Sequence, residues 1–130
     1  MQSIIEQTIK FVKITLANAE TGHDWFHIER VYKTAQTINA IEKGDQLVVE
    51  LAALLHDIAD SKFNNGDEEI GPQKAGDFLK TIGVEDETIL HVQEIIRNLS
   101  YKASLGEITF KSKELDVVQD ADRLDAIGAI

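Results

Sequence analysis

The stretch Leu47-Val48-Val49-Glu50-Leu51-Ala52-Ala53-Leu54-Leu55-His56-Asp57-Ile58 decides the fold. It is apolar almost all round, and a helix without a polar stripe is central and buried. A buried parallel strand is the competing reading of so short a run; the alanine and leucine content, with Glu50 inside, favours a helix. The run ends on two polar groups, His56 and Asp57, where the pattern calls for apolar ones. Taking an isolated carboxylate out of water is costly unless it is paired or bound to a metal, and the imidazole beside it is one such partner. Successive helical residues diverge by about 100°. His56 and Asp57 can therefore share one ion only near the helix end, with further ligands from elsewhere.

Helical periodicity recurs on either side. Ile5, Ile9, Val12, Leu16 and Ala19 step by three or four, predicting an amphipathic first helix that stops near Thr21-Gly22. Asp24 is placed to cap a second, with Val31, Ala35 and Ile38 on its inner stripe and an end at Lys43-Gly44, glycine being common just past a helix terminus. Residues 60 to 71 read as a polar loop. A short helix follows Pro72, with Ala75, Phe78, Leu79 and Ile82, and ends at Gly83. Asp86 is expected to cap the next, with Ile89, Val92, Ile96 and Leu99 inward; residues 100 to 111 are irregular, and Ser112 opens a last helix containing Leu115, Val118, Asp122 and Leu124. The fold class is all-α, about six helices in one domain over residues 1–130. The bare apolar run Ala126-Ile127-Gly128-Ala129-Ile130 carries no cap or polar tail, which predicts that further helices follow at the C-terminus.

The bulk numbers bound the function. One small domain of 130 residues, 43% hydrophobic and 28% charged, is expected to fold. Thirteen Lys and Arg against 23 Asp and Glu leave a formal charge of -10, which argues against a nucleic-acid polymer or an anionic membrane as partner. A small phosphate compound remains eligible where a metal ion reverses the local field. Absence of cysteine excludes disulfides and thiolate zinc sites. The first sixteen residues intersperse Glu6, Lys10 and Lys13 with apolar ones, unlike a signal peptide, and the expectation is a soluble cytoplasmic protein. A homo-oligomer is compatible with the apolar C-terminal residues.

Two further ligands have the right placement. His27 shares the inward face of the second helix, one turn before Val31, and Asp122 lies one turn after Val118 in the last helix. Taken alone, His27 reads equally as a satisfied core histidine, and Asp122 as a salt-bridge partner of Arg123 or Arg30. Together with His56-Asp57 they make a mixed nitrogen and oxygen set suited to one divalent ion: manganese, nickel, cobalt, iron, zinc or magnesium. Arg30, one turn beyond His27, is placed to orient a carboxylate.

These residues, in the segments His23-Asp24-Trp25-Phe26-His27 with Arg30-Val31, Leu54-Leu55-His56-Asp57-Ile58-Ala59-Asp60, and Gln119-Asp120-Ala121-Asp122-Arg123-Leu124-Asp125, resemble the HD-domain superfamily of metal-dependent phosphohydrolases. The order histidine, histidine-aspartate, aspartate is that superfamily's signature, and the resemblance runs from His23 to the end of the chain. It looks closest to small stand-alone bacterial members that hydrolyse nucleotides. It implies an all-helical fold, His27, His56, Asp57 and Asp122 as metal ligands, and further helices past residue 130. Two-metal members use two more histidines before the last aspartate; here that interval holds only His91, which implies a single ion. His91 itself reads as exposed or as a supporting residue off the apolar stripe.

The chemistry that follows is metal-assisted hydrolysis of a small phosphate ester or anhydride, with nucleotides as the substrate class. Conversion of a triphosphate to monophosphate and pyrophosphate, and dephosphorylation of a monophosphate, are both open. Asp60 resembles the acid that serves as general acid or base in related enzymes, beside the reading of a solvated loop carboxylate. His23 and Lys62 flank the ligands and are candidates to contact substrate phosphates, Lys62 also reading as a solvated loop lysine. A catalytically silent metal- or nucleotide-binding regulatory module is the alternative, and an oxygenase is opposed by the missing histidines.

Overall fold

The computed structural model describes residues 3–17, 25–58, 69–101 and 110–127. Among them are six helices and no strand: α1 (Ile4–Ala17), α2 (Trp25–Glu42), α3 (Gln46–Leu55), α4 (Ile70–Thr81), α5 (Asp86–Tyr101) and α6 (Lys113–Ile127). The all-α expectation holds.

α3 is the centre. Every residue from Val48 to Leu55 is buried, Glu50 included, because α3 packs against α1, α2, α5 and α6. A sequence apolar on all sides is what such a position selects, each fully buried Val or Leu contributing about 1.5–3 kcal/mol. Asp45 caps α3, its Oδ1 accepting from the Val48 amide at 3.3 Å. The predicted stripes find their partners. Val12 and Leu16 of α1, Val31 and Ala35 of α2, Ala75 and Leu79 of α4, and Ile89, Val92, Ile96 and Leu99 of α5 all join one core.

The boundaries show where local chemistry differs from pattern. α2 ends at Glu42, and it is Lys43, not Gly44, that takes the left-handed conformation, at φ 60°. Asn39 makes this tolerable: its amide donates to Gly44 O at 3.1 Å and its Oδ1 accepts from Gly44 N at 2.8 Å. Gly44 serves close approach instead, since a Cβ there would lie 2.8 Å from Glu114 Oε2. α4 starts at Ile70, two residues before Pro72, whose missing amide hydrogen is harmless in a first turn. Gly83, at φ 81°, closes that helix as expected. Asp86 is the first residue of α5 rather than its cap. Ser112 does cap α6, its Oγ accepting from Leu115 N at 3.0 Å. The predicted Asp24 cap, the loop over 60–68 and the apolar end 128–130 lie outside the described residues.

Candidate metal centre

Three helices bring four side chains to one point. His27 is the third residue of α2, so its ring leaves from the first turn, on the face carrying Val31. His56 is the residue that closes α3, and Asp57 follows in the turn beyond it. They stand at the end of the helix, the one place where neighbours diverging by about 100° can face a common ion. Asp122 comes from α6, a turn past the buried Val118.

The geometry is a ring of alternating nitrogen and oxygen. His27 Nε2 lies 3.4 Å from Asp57 Oδ2 and 3.6 Å from Asp122 Oδ1. His56 Nε2 lies 3.6 and 3.5 Å from those same oxygens. His27, His56 and Asp57 can hold a metal ion, one ligand atom from each lying within 4.8 Å of the others. Nitrogen and oxygen ligands bind first-row cations at about 2.0–2.2 Å, so donors sharing one ion sit in this range of separation.

His56 supplies the observation that separates an ion site from an ordinary polar cluster. Its side chain is 3% exposed. Nδ1 donates to Ala53 O at 2.7 Å, which leaves the lone pair of a neutral ring on Nε2. That buried nitrogen makes no hydrogen bond. A group so placed is costly unless something occupies it, and an electron-pair acceptor between the four donors would fill the place.

The electrostatics agree. Burial alone would lower the His56 imidazolium, but the nearby carboxylates of Asp57 and Asp122, with the Ala53 carbonyl, outweigh it and push the group up to about 9. His27 is raised by its bond to Asp57, against burial, with Asp125 adding and the His56 charge opposing. The pocket thus favours positive charge, whether protons or a cation, and an ion entering it displaces protons.

Of the sequence-predicted site residues, the structure brings together His27, His56, Asp57 and Asp122. Asp60, Lys62 and His23 lie outside the described residues. His91 is elsewhere, with its ring 3.0 Å from Ser112 Oγ and 3.6 Å from Glu114 Oε1, and edge-on to Phe110. One participant was missed. Asp125 Oδ2 lies 2.6 Å from His27 Nδ1, and Asp125 Oδ1 accepts from Arg30 Nε at 2.6 Å. The Arg30 bond and the His27 contacts hold the Asp125 carboxyl below its usual range, against a smaller opposing effect of burial. Its signal was present in the sequence: Asp125 follows Asp122 by three and shares its helix face.

The chain is similar to known proteins. The HD domain family matches residues 25–127. A protein of Bacillus subtilis, YpgQ, is 37% identical over 127 residues, a match that covers 96% of this chain and 61% of YpgQ. A crystal structure of an HD-superfamily hydrolase from Bacillus thuringiensis superposes with a TM-score of 0.76 at 45% identity, over 95% of this chain and 60% of that one. YpgQ in complex with ADP superposes with a TM-score of 0.74, covering 94% of this chain and 57% of that one. The chain spans about three fifths of the length of these relatives.

Proposed function

This chain belongs to the HD domain family, and we propose that it is a divalent-metal-dependent phosphohydrolase of a small phosphate ester or anhydride, with a nucleotide as substrate. The observation that carries this is the buried, unbonded Nε2 of His56, aimed into a space shared with His27, Asp57 and Asp122. The ADP complex of YpgQ supports the nucleotide class.

In this reading His27, His56, Asp57 and Asp122 hold one ion, with manganese the first to try among manganese, nickel, cobalt, iron, zinc and magnesium. When bound, the ion supplies a lowered water pKa and charge neutralisation at the transferring phosphoryl group. On an ion that accepts six ligands, two imidazoles and two carboxylates would leave two positions for water and a phosphate oxygen. Asp57 and Asp122 together cancel a charge of +2. The attraction for phosphate in a chain of formal charge -10 must therefore be reinforced by cations. Lys62 is assigned that role, His23 that of a further contact to the substrate phosphates, and Asp60 that of general acid or base. The cytoplasm, where nucleotides abound, is its compartment in this reading. No helix among the described residues is long and apolar enough to cross a membrane.

Elemental analysis of the purified chain beside His56→Ala and Asp57→Ala tests the site. About one equivalent of metal, lost in both variants, is expected; a parent that takes up none of the six metals sinks the reading. Nucleotide hydrolysis by the loaded chain then tests the activity, and Asp60→Asn, expected to keep metal and lose turnover, tests the acid–base role.

A further inference from the structure

We propose that Asp125, clamped by Arg30, is the positioning residue of the metal centre: it takes the Nδ1–H of His27 and so turns the Nε2 lone pair toward the ion. This rests on the metal-binding reading above. A neutral imidazole carries one proton, and the hydrogen bond made by one nitrogen decides whether the other can ligate. The two histidines meet that requirement differently. His56 closes a helix, and the carbonyl of Ala53, three residues back, accepts its Nδ1–H at 2.7 Å. His27 is the third residue of α2, without a full preceding turn of that helix to supply such a carbonyl. Its acceptor comes instead from α6, 98 positions away, where Asp125 Oδ2 approaches Nδ1 to 2.6 Å.

A carboxylate positions a ring only if it is itself held. The Asp125 side chain is 9% exposed, and Arg30 donates to it twice, from Nε to Oδ1 at 2.6 Å and from Nη2 to Oδ2 at 3.4 Å. The spacing repeats: Arg30 follows His27 by three, and Asp125 follows Asp122 by three. Each helix therefore offers a ligand and its support from one face, and α2 packs along α6 to join them. The ion pair of Arg30 and Asp125 fixes the approach of the two helices that carry His27 and Asp122.

The test is Mn2+ affinity, by calorimetry, of the parent, Asp125→Asn, Arg30→Gln and the exposed α6 control Asp120→Asn. Loss of such an outer carboxylate costs about 10–100-fold in metal affinity. That loss is expected for Asp125→Asn, with a smaller one for Arg30→Gln and none for the control. A fold defect is separated by long-range 1H–15N spectra of the Zn2+-loaded chains. His27 should carry its proton on Nδ1 in the parent and lose that signal in Asp125→Asn, while His56 keeps its own. Parent affinity in Asp125→Asn, or an unchanged His27 signal, overturns the proposal and leaves the metal centre standing. If Asp125→Asn does not fold, Arg30→Gln decides by the same two readouts. A parent that binds neither ion removes the metal reading and this inference with it.

Discussion

Tyr32 and Glu50 make a second polar arrangement, apart from His27, His56, Asp57 and Asp122. Glu50 is 5% exposed. It accepts from Tyr32 Oη at 3.1 Å and from Gln46 Nε2 at 2.6 Å. Burial, then the charge and hydrogen bond of Glu50, push the Tyr32 hydroxyl up to about 12, so it remains a donor throughout the working pH range. Tyr32→Phe removes one of two donors from a buried carboxylate, and is expected to cost about 1–2 kcal/mol in urea unfolding. The cost should shrink when Glu50→Gln is already in place, because the acceptor no longer carries charge. At this scale the sequence was legible in part. His27, His56, Asp57 and Asp122 stood out as polar groups on apolar faces, a local signal. The bonds of Glu50 to Tyr32 and of Asp125 to His27 join positions 18 and 98 apart. Periodicity within one helix puts Asp125 on the face of Asp122 but does not say which residue of another helix it meets.

Between elements, Glu114 ties the start of α6 to the start of α3, its Oε2 accepting from Asp45 N at 2.6 Å. Burial pulls the Glu114 carboxyl upward, but the backbone amides of Asp45 and Glu114 and the charges of His91 and Lys113 win, and it is lowered from 4.5. A carboxyl lowered by folding adds stability that is present above its unfolded value and is lost as the pH falls through its folded one. Glu114→Gln should therefore be less stable than the parent by about 1 kcal/mol at neutral pH. The gap should close in acid below 4.5, where urea midpoints taken across pH 3–7 would show the two curves converging. Gly44→Ala strikes the same junction. Its Cβ would stand 2.8 Å from Glu114 Oε2 and 3.1 Å from Asn39 Oδ1, displacing two hydrogen-bonded groups. A loss of roughly 1–2 kcal/mol is expected, beyond what added helix-end rigidity returns. The helices themselves were plain from their stripes, from stop signals such as Gly83 and from start signals such as Ser112. Lys43 at positive φ was not, because the clamp that permits it comes from the Asn39 side chain.

Across the whole molecule, the centre joins the start of α2, the turn after α3 and the middle of α6, so its donors are adjacent only when all three helices are packed. The apolar all-round α3 explains why. Burying it on every side forces its C-terminal residues, His56 and Asp57, to emerge between α2 and α6. The fold class and the cluster of four polar side chains were legible together for that reason, since the run that names the central helix also ends on His56 and Asp57. An ion held by this set binds the folded chain and not the unfolded one. At a free concentration a hundredfold above Kd it stabilises by about 2.7 kcal/mol, enough to raise Tm by roughly 10 °C in a domain of this size. Thermal melts with rising Mn2+ should show that increase in the parent, a smaller one at equal concentration in Asp125→Asn, and none in His56→Ala. The Tm of His56→Ala rising as in the parent would mean that cations bind the acidic surface at large and not the four donors, and the centre would then be a buried polar network.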